Sequence, residues 1–330
     1  MQIMGKRTFN VIKYALSFLL AGVLLYFAFS GIDWQQFARD FRQTRWGYVI
    51  LFFAVSTLAL VFREERWRAL VEPFDPEVRR MKVWDAINVS NIANVVLPGA
   101  GEFLRCGYLK SRNVSYDKVF GTIVCERICD VISIAVIFVI VLAAKWDTFG
   151  GFFSEHILGS IGSGRDLSLW WIAAALAVIA AAYLILVFRL RGRSRFCEKN
   201  ARAISNIFSG LAVIARVRNK WAFVLYTIGI WVMYLLMCYF MFLAMPPLSH
   251  LGLMDALVIS GVGNIASVIP VPGGIGAYHY LVSLCLESLY GVQWETGILY
   301  ATLNHELHAI LIIVYGCLSY LHLTLKRKNS

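Results

Sequence analysis

The stretch Asn264-Ile265-Ala266-Ser267-Val268-Ile269-Pro270-Val271-Pro272-Gly273-Gly274-Ile275-Gly276 interrupts the apolar block Leu257–Leu289. Proline lacks the N–H a helix needs and clashes with the preceding turn, so this block cannot be one continuous helix. Half a chain earlier, Asn91-Ile92-Ala93-Asn94-Val95-Val96 runs into Leu97-Pro98-Gly99-Ala100-Gly101 and breaks the block Ile87–Leu109 in the same way. The pattern N-I-A-[NS]-V-[VI] followed by Pro-Gly therefore occurs twice. Each break leaves half-helices of roughly 9–14 residues, or about 14–21 Å at 1.5 Å per residue. That is about half of a ~30 Å hydrocarbon core. Non-helical backbone at that depth persists only where protein or a cavity shelters it.

Outward from these breaks the chain is apolar nearly throughout. Its 330 residues are 59% hydrophobic and 15% charged, with a mean hydropathy of +0.67. Soluble domains carry about 25% charged residues. The apolar residues fall into eight blocks: Val11–Phe29, Gly47–Phe62, Ile87–Leu109, Val119–Ala144, Leu169–Phe188, Ala222–Met245, Leu257–Leu289 and Gly297–Leu323. This excludes a soluble enzyme, a nucleic-acid binder and a single-span receptor. The net charge of +11 is read as membrane topology rather than as affinity for nucleic acid. The first run is long for a signal-peptide core, so it is expected to remain as a span. The seven cysteines form no CxxC pair, which argues against a disulfide or metal framework.

The positive-inside rule decides whether the broken blocks cross the membrane or return. If both return and the N-terminus is inside, 24 of the 31 Lys and Arg face the cytoplasm and 5 face outward, with Arg105 and Arg127 left in the membrane. If both cross, the split is 14 to 15. The expected fold is thus an all-α polytopic membrane protein with about six full transmembrane helices and two re-entrant broken-helix hairpins. It forms one integral membrane domain over residues 1–330. Repeat 1 covers about 11–144 and repeat 2 about 169–323, the second inverted relative to the first. Inverted repeats with broken helices meeting near the midplane are a transporter architecture.

Ionisable residues inside spans are costly and face a cavity or one another. Glu102 and Arg105 lie one turn apart past the first break, and the next block carries Glu126, Arg127 and Asp130. Two readings stand side by side. In one, Glu102–Arg127 and Arg105–Glu126 or Asp130 pair only to lock the bundle. In the other, Arg105 and Arg127 hold a phosphate, for which the guanidinium fork is suited. The half-helices after Gly101 and Gly276 would also aim their N-termini at the site.

In the second half, Pro272, Gly273, Gly274 and Gly276 form the turn, His279 follows it, and the last block carries Asn304, His305, Glu306 and His308. His305 and His308 are spaced i,i+3. Without HExxH or a convincing third ligand, a hydrogen-bonded polar cluster lining a cavity is expected rather than a metal, and no cofactor. Ile204, Ile207, Phe208, Leu211 and Ile214 recur at helical spacing among Arg and Lys. They read as an amphipathic helix against anionic lipid headgroups at the inner surface.

Three blocks carry a resemblance: Pro98…Gly101-Glu102…Arg105; Gly121-Thr122…Glu126-Arg127…Asp130; and Pro270-Val271-Pro272-Gly273-Gly274-Ile275-Gly276. Together they resemble the lysylphosphatidylglycerol synthase transmembrane (flippase-like) family, over nearly the whole chain. The resemblance implies a domain that moves lipids across the bacterial cytoplasmic membrane, while the Lys/Arg count places both termini on the cytoplasmic side. The soluble aminoacyl-transferase domain of the full synthases is not found in this sequence, so lipid synthesis is not carried over. The family's first Pro…Gly-Glu block carries an Arg that Pro98-Gly99-Ala100-Gly101 lacks. A Glu of the family stands where this chain has His279, and an Arg near the position of Glu306. This exchange of acid and base implies a His279–Glu306 contact of reversed polarity.

The expected function is therefore a flippase or transporter for a phosphate-bearing lipid, with no catalytic residues. The alternatives are an intramembrane enzyme acting on a lipid headgroup, with Glu126 or His305 as base, or an accessory subunit beside a lipid-biosynthesis enzyme.

Overall fold

The computed structural model describes residues 18–97, 99–109, 115–144, 189, 198, 213–266, 269 and 271–328. The elements long enough to name are α1 (Phe18–Phe29), α2 (Trp34–Arg42), α3 (Trp46–Val71), α4 (Arg80–Val96), α5 (Ala100–Leu109), α6 (Tyr116–Ala144), α7 (Lys220–Ala244), α8 (Leu253–Ala266), α9 (Ala277–Tyr290) and α10 (Trp294–Lys328). Short 3₁₀ turns lie at Pro246–Leu248 and Pro272–Gly274, and no strand occurs among the described residues.

Helices α3, α7 and α10 are long and apolar enough to cross a membrane, and α1 with α2 would make a fourth span bent by 85°. Helix α6, with 29 residues, is about 43 Å long. Its Val131, Val136, Phe138 and Val139 are exposed, as are Leu225 and Ile228 on α7 and Ile310 and Leu318 on α10. Apolar side chains spread over several helix faces suit lipid and are seldom left to water.

The helices group their ends into two sets. At one end Val71, Val78, Val83, Leu109, Val119 and Val217 share an apolar cluster, joining the end of α3, the start of α4, the end of α5, the start of α6 and the approach to α7. At the other, Gln36, Pro247, His250, Tyr290, Gly291, Val292, Gln293 and Thr296 line one recess of about 220 Å³. That recess gathers α2, the α7–α8 connection and the α9–α10 connection. Each broken pair therefore returns to the end of the molecule it starts from: α4 and α5 to the first, α8 and α9 to the second. The two members of each pair pack against one another.

The local sequence explains both breaks. Gly101 lets α5 lie directly on α4, because a Cβ there would collide with the Ser90 carbonyl and sit 2.7 Å from Asn94 Cγ. The turn of the second pair has Gly273, Gly274 and Gly276 all at positive φ, +62°, +77° and +83°, a region that L side chains enter only at a cost of about 1–2 kcal/mol per residue. The main core lies between α3, α7, α8, α9 and α10, around Phe52, Met241, Phe242, Leu286 and Tyr300.

The observed helices differ from the apolar blocks at their edges. Helix α3 runs nine residues past Phe62, carrying Arg63 and Arg66 as helix residues rather than as part of a polar connection. The block Leu169–Phe188, residues 11–17 and most of the amphipathic segment up to 212 lie outside the described residues.

Candidate functional site

Two polar clusters form where the broken helices meet the long ones. The first is built on α3, α5 and α6. Glu126, almost wholly buried, accepts hydrogen bonds from Arg105 Nη2 at 2.6 Å and Arg66 Nη2 at 3.3 Å. Arg63 lies 3.8 Å from the same carboxylate. Arg66 Nη1 also donates to Asp130 at 2.7 Å. Arg105 lies over the Trp67 ring, 3.9 Å from its centroid, and Trp67 Nε1 donates to Thr122 Oγ1 at 3.0 Å. Arg127 reaches Glu102 at 3.6 Å and Asp130 at 3.8 Å, its side chain 48% exposed.

The expected pairs Arg105–Glu126 and Glu102–Arg127 are thus present, and Arg105 is buried between Glu126 and the Trp67 ring. Arg127 is the most exposed arginine of this cluster and, like Arg63, has only long ion pairs. Four cations (Arg63, Arg66, Arg105, Arg127) face three carboxylates (Glu102, Glu126, Asp130). Arg63 and Arg66 escaped sequence reasoning because they follow the end of an apolar block and look like connection charges. Their i,i+3 spacing, in register with Trp67 and Leu70 on the buried face, is the signal that would have found them.

The second cluster joins α9, α10 and the turn. His305 Nδ1 is 3.0 Å from Glu306 Oε1, and His305 Nε2 is 2.9 Å from the Gly273 carbonyl oxygen. His279 Nε2 lies 3.8 Å from the same Glu306 oxygen, so the contact expected from the exchanged acid and base is present. Tyr278 packs on His305, with ring centroids 5.1 Å apart. His308 lies one turn on, within electrostatic reach of Arg63, which links the clusters. Asn304 turns instead to Tyr300 Oη at 3.0 Å and to Cys238, a packing position away from the histidines.

The turns meet each other as well. A Cβ on Gly273 would sit 3.7 Å from the Val95 carbonyl, at the end of α4, and one on Gly274 would sit 3.5 Å from His305 Nε2. Pro272 is buried behind them. At each expected helix-N-terminal anion site the protein itself takes up one glycine. The Gly101 N–H donates to Asn94 Oδ1 at 2.8 Å. Gly276 lies against the α1 backbone, where a Cβ would be 2.8 Å from Ala21 O. That glycine serves helix packing rather than approach of a ligand.

With this geometry, the comparisons with known proteins can be placed. Residues 12–316 match the family described as Lysylphosphatidylglycerol synthase TM region. The chain belongs to that family. Membership accords with the blocks that hold Arg105, Glu126 and the Pro-Gly-Gly turn, and it makes the chain a multi-pass membrane protein. One relative is the glycosyltransferase AglD of Haloferax volcanii, 26% identical over 268 residues, covering 72% of this chain and 43% of that protein. Another is the UPF0104 membrane protein PH1989 of Pyrococcus horikoshii, 24% identical over 251 residues, covering 69% of this chain and 73% of that one. The chain thus spans less than half the length of AglD. No solved structure matches it.

Proposed function

We propose that this family member is a lipid transporter that moves a phosphate-bearing lipid through a polar path between two re-entrant hairpins. The observation that carries the reading is Arg127. It is a half-exposed guanidinium in a cluster with one more cation than carboxylate, buried among otherwise apolar helices. Such a group recognises a phosphate by two parallel charge-assisted hydrogen bonds. The ion pairs of Arg66 and Arg105 with Glu126 hold the walls, and the Arg127 pairs, 3.6 and 3.8 Å long, are the ones an anion exchanges for its own.

In this reading the end holding Val71, Leu109 and Val119 is cytoplasmic, together with both termini, and the protein sits in the cytoplasmic membrane. The two halves are inverted repeats, one hairpin entering from each leaflet, with six full spans around them. The charge asymmetry supports this orientation. The test is reconstitution into liposomes with a headgroup-labelled anionic phospholipid and a membrane-impermeant quencher. Wild type moves the label between leaflets, and Arg127→Gln loses at least tenfold of that rate with its fold unchanged. Equal rates would remove Arg127 from the path.

The name of AglD favours a second reading, in which the domain serves a glycosyl-transfer pathway and its cargo is a lipid-linked sugar phosphate. The same assay with a glycosylated polyprenyl phosphate in place of the phospholipid separates the two.

A further inference from the structure

We propose that His279 Nε2, His305 Nδ1 and Glu306 Oε1 are the protein ligands of a divalent transition-metal ion of the zinc class. The three donor atoms lie within 4.8 Å of one another. Two of their separations, 3.0 and 3.8 Å, bracket the edge of about 3.4 Å expected between ligands of a tetrahedral ion bound at 2.0–2.2 Å.

A cation between these atoms would satisfy the polar contacts around His305 and His279 together. Its Nε2 faces the Gly273 carbonyl oxygen at 2.9 Å. A carbonyl only accepts, so Nε2 carries the hydrogen. In a neutral imidazole the other nitrogen is then bare. That bare Nδ1 points at a carboxylate oxygen 3.0 Å away, two lone pairs face to face. A proton on Nδ1 would resolve this one contact. It would leave His279 Nε2, 3.8 Å from the same oxygen, without a bond. A divalent ion satisfies all three donors together.

The surroundings fit such a site. A metal-ligating histidine normally donates its second N–H to a carbonyl or carboxylate, which fixes its tautomer and orientation; the Gly273 carbonyl does this for His305. His279 is 2% exposed, with Phe29 tilted against its ring and Tyr278 edge-on to it, so its ring is held in place. Glu306 is 41% exposed on its side chain, which leaves a coordination position open to water or to an oxygen ligand. Two imidazoles and one carboxylate select zinc, cobalt or nickel over the oxygen-seeking magnesium and calcium. The adjacency of His305 and Glu306 in sequence hides the site, because the third ligand comes from α9, 26 positions earlier.

The inference does not depend on lipid transport, and its test involves no lipid movement. The full chain is purified in detergent, stripped with EDTA and titrated with Co²⁺, read by the visible d–d bands of tetrahedral cobalt. One saturable equivalent per chain is expected, displaced by Zn²⁺ and not by Mg²⁺, with Zn²⁺ raising the thermal midpoint of the wild-type chain. Glu306→Gln, which keeps the side-chain size, and His305→Gln should each weaken binding at least tenfold. His250→Ala, in the recess at the far end, should bind as wild type does. Glu306→Gln is compared with wild type for elution profile and metal-free thermal midpoint, so loss of fold is read separately. Absence of a saturable tetrahedral cobalt spectrum, or binding that survives Glu306→Gln unchanged, overturns the site.

Discussion

Glu126→Gln is the most informative single change to the first cluster. The carboxylate takes hydrogen bonds from Arg105 at 2.6 Å and Arg66 at 3.3 Å, with Arg63 at 3.8 Å. Removing its charge affects the three arginines unequally. Arg66 retains Asp130 at 2.7 Å. Arg105, 2% exposed, loses its counter-ion and keeps a neutral amide oxygen and the face of Trp67, a cation–π contact worth about 2 kcal/mol when desolvated. Breaking a buried pair by removing one partner costs about 3–5 kcal/mol, because a charge stays buried without its counter-ion. At about 2–4 °C per kcal/mol, the scale for large domains, the thermal midpoint in detergent should fall by roughly 6–20 °C. Replacing both members is cheaper than replacing one, since a neutral, well-packed pair carries no such penalty. The double variant Glu126→Gln with Arg105→Met should therefore recover at least half of the loss. A midpoint within about 2 °C of wild type for the single variant would refute the reasoning. So would a double variant whose loss equals the sum of the two singles, because coupled partners do not add.

The other predictions concern packing, the bent pair and the path. Gly101→Ala should force α5 away from Ser90 and Asn94 at a cost of about 1–3 kcal/mol, seen as a lower thermal midpoint; an unchanged midpoint would mean that the helices are not so closely packed. Asp40→Ala removes the acceptor of Thr296 Oγ1 at 2.6 Å and of Gln36 Nε2 at 2.9 Å. With Thr296 buried, this should cost about 1–3 kcal/mol and raise hydrogen exchange in α2 first, a pattern readable by mass spectrometry. Arg127→Lys retains charge but not the planar fork, so lipid movement in liposomes should fall severalfold, yet less than in Arg127→Gln; equal rates for Arg127→Lys and wild type would show that bidentate recognition plays no part.

Much of this arrangement is readable before any coordinates. Proline and glycine break a helix wherever they fall, so the interruptions at 97–101 and 270–276 follow from covalent structure alone. Charges inside an apolar helix need partners, and the pairs Arg105–Glu126 and Glu102–Arg127 were inferred on that ground. What escaped depends on tertiary contact. Arg63 and Arg66 look like connection charges until α3 is seen to continue along α6. The role of Gly276 depends on α1, which is distant in sequence. Asn94 and Gly101 sit on opposite sides of one break, and only their packing shows that the N–H offered to an anion already has an acceptor. His279 and Glu306 were linked by a family difference, whereas the convergence of His305 on the same oxygen required the α9–α10 contact.

The central claim is that each broken pair enters and leaves through the same face of the membrane, and that the two pairs use opposite faces. Single cysteines at Glu77, Ser115, His250 and Gln293, all exposed, placed in a cysteine-free background, test it with a membrane-impermeant maleimide. Glu77 and Ser115 flank the first pair, and His250 and Gln293 flank the second. The account predicts labelling of Glu77→Cys and Ser115→Cys only from the cytoplasmic side, and of His250→Cys and Gln293→Cys only from outside. Flanking positions of either pair that label from opposite sides would mean that the pair crosses the membrane, and would contradict the account.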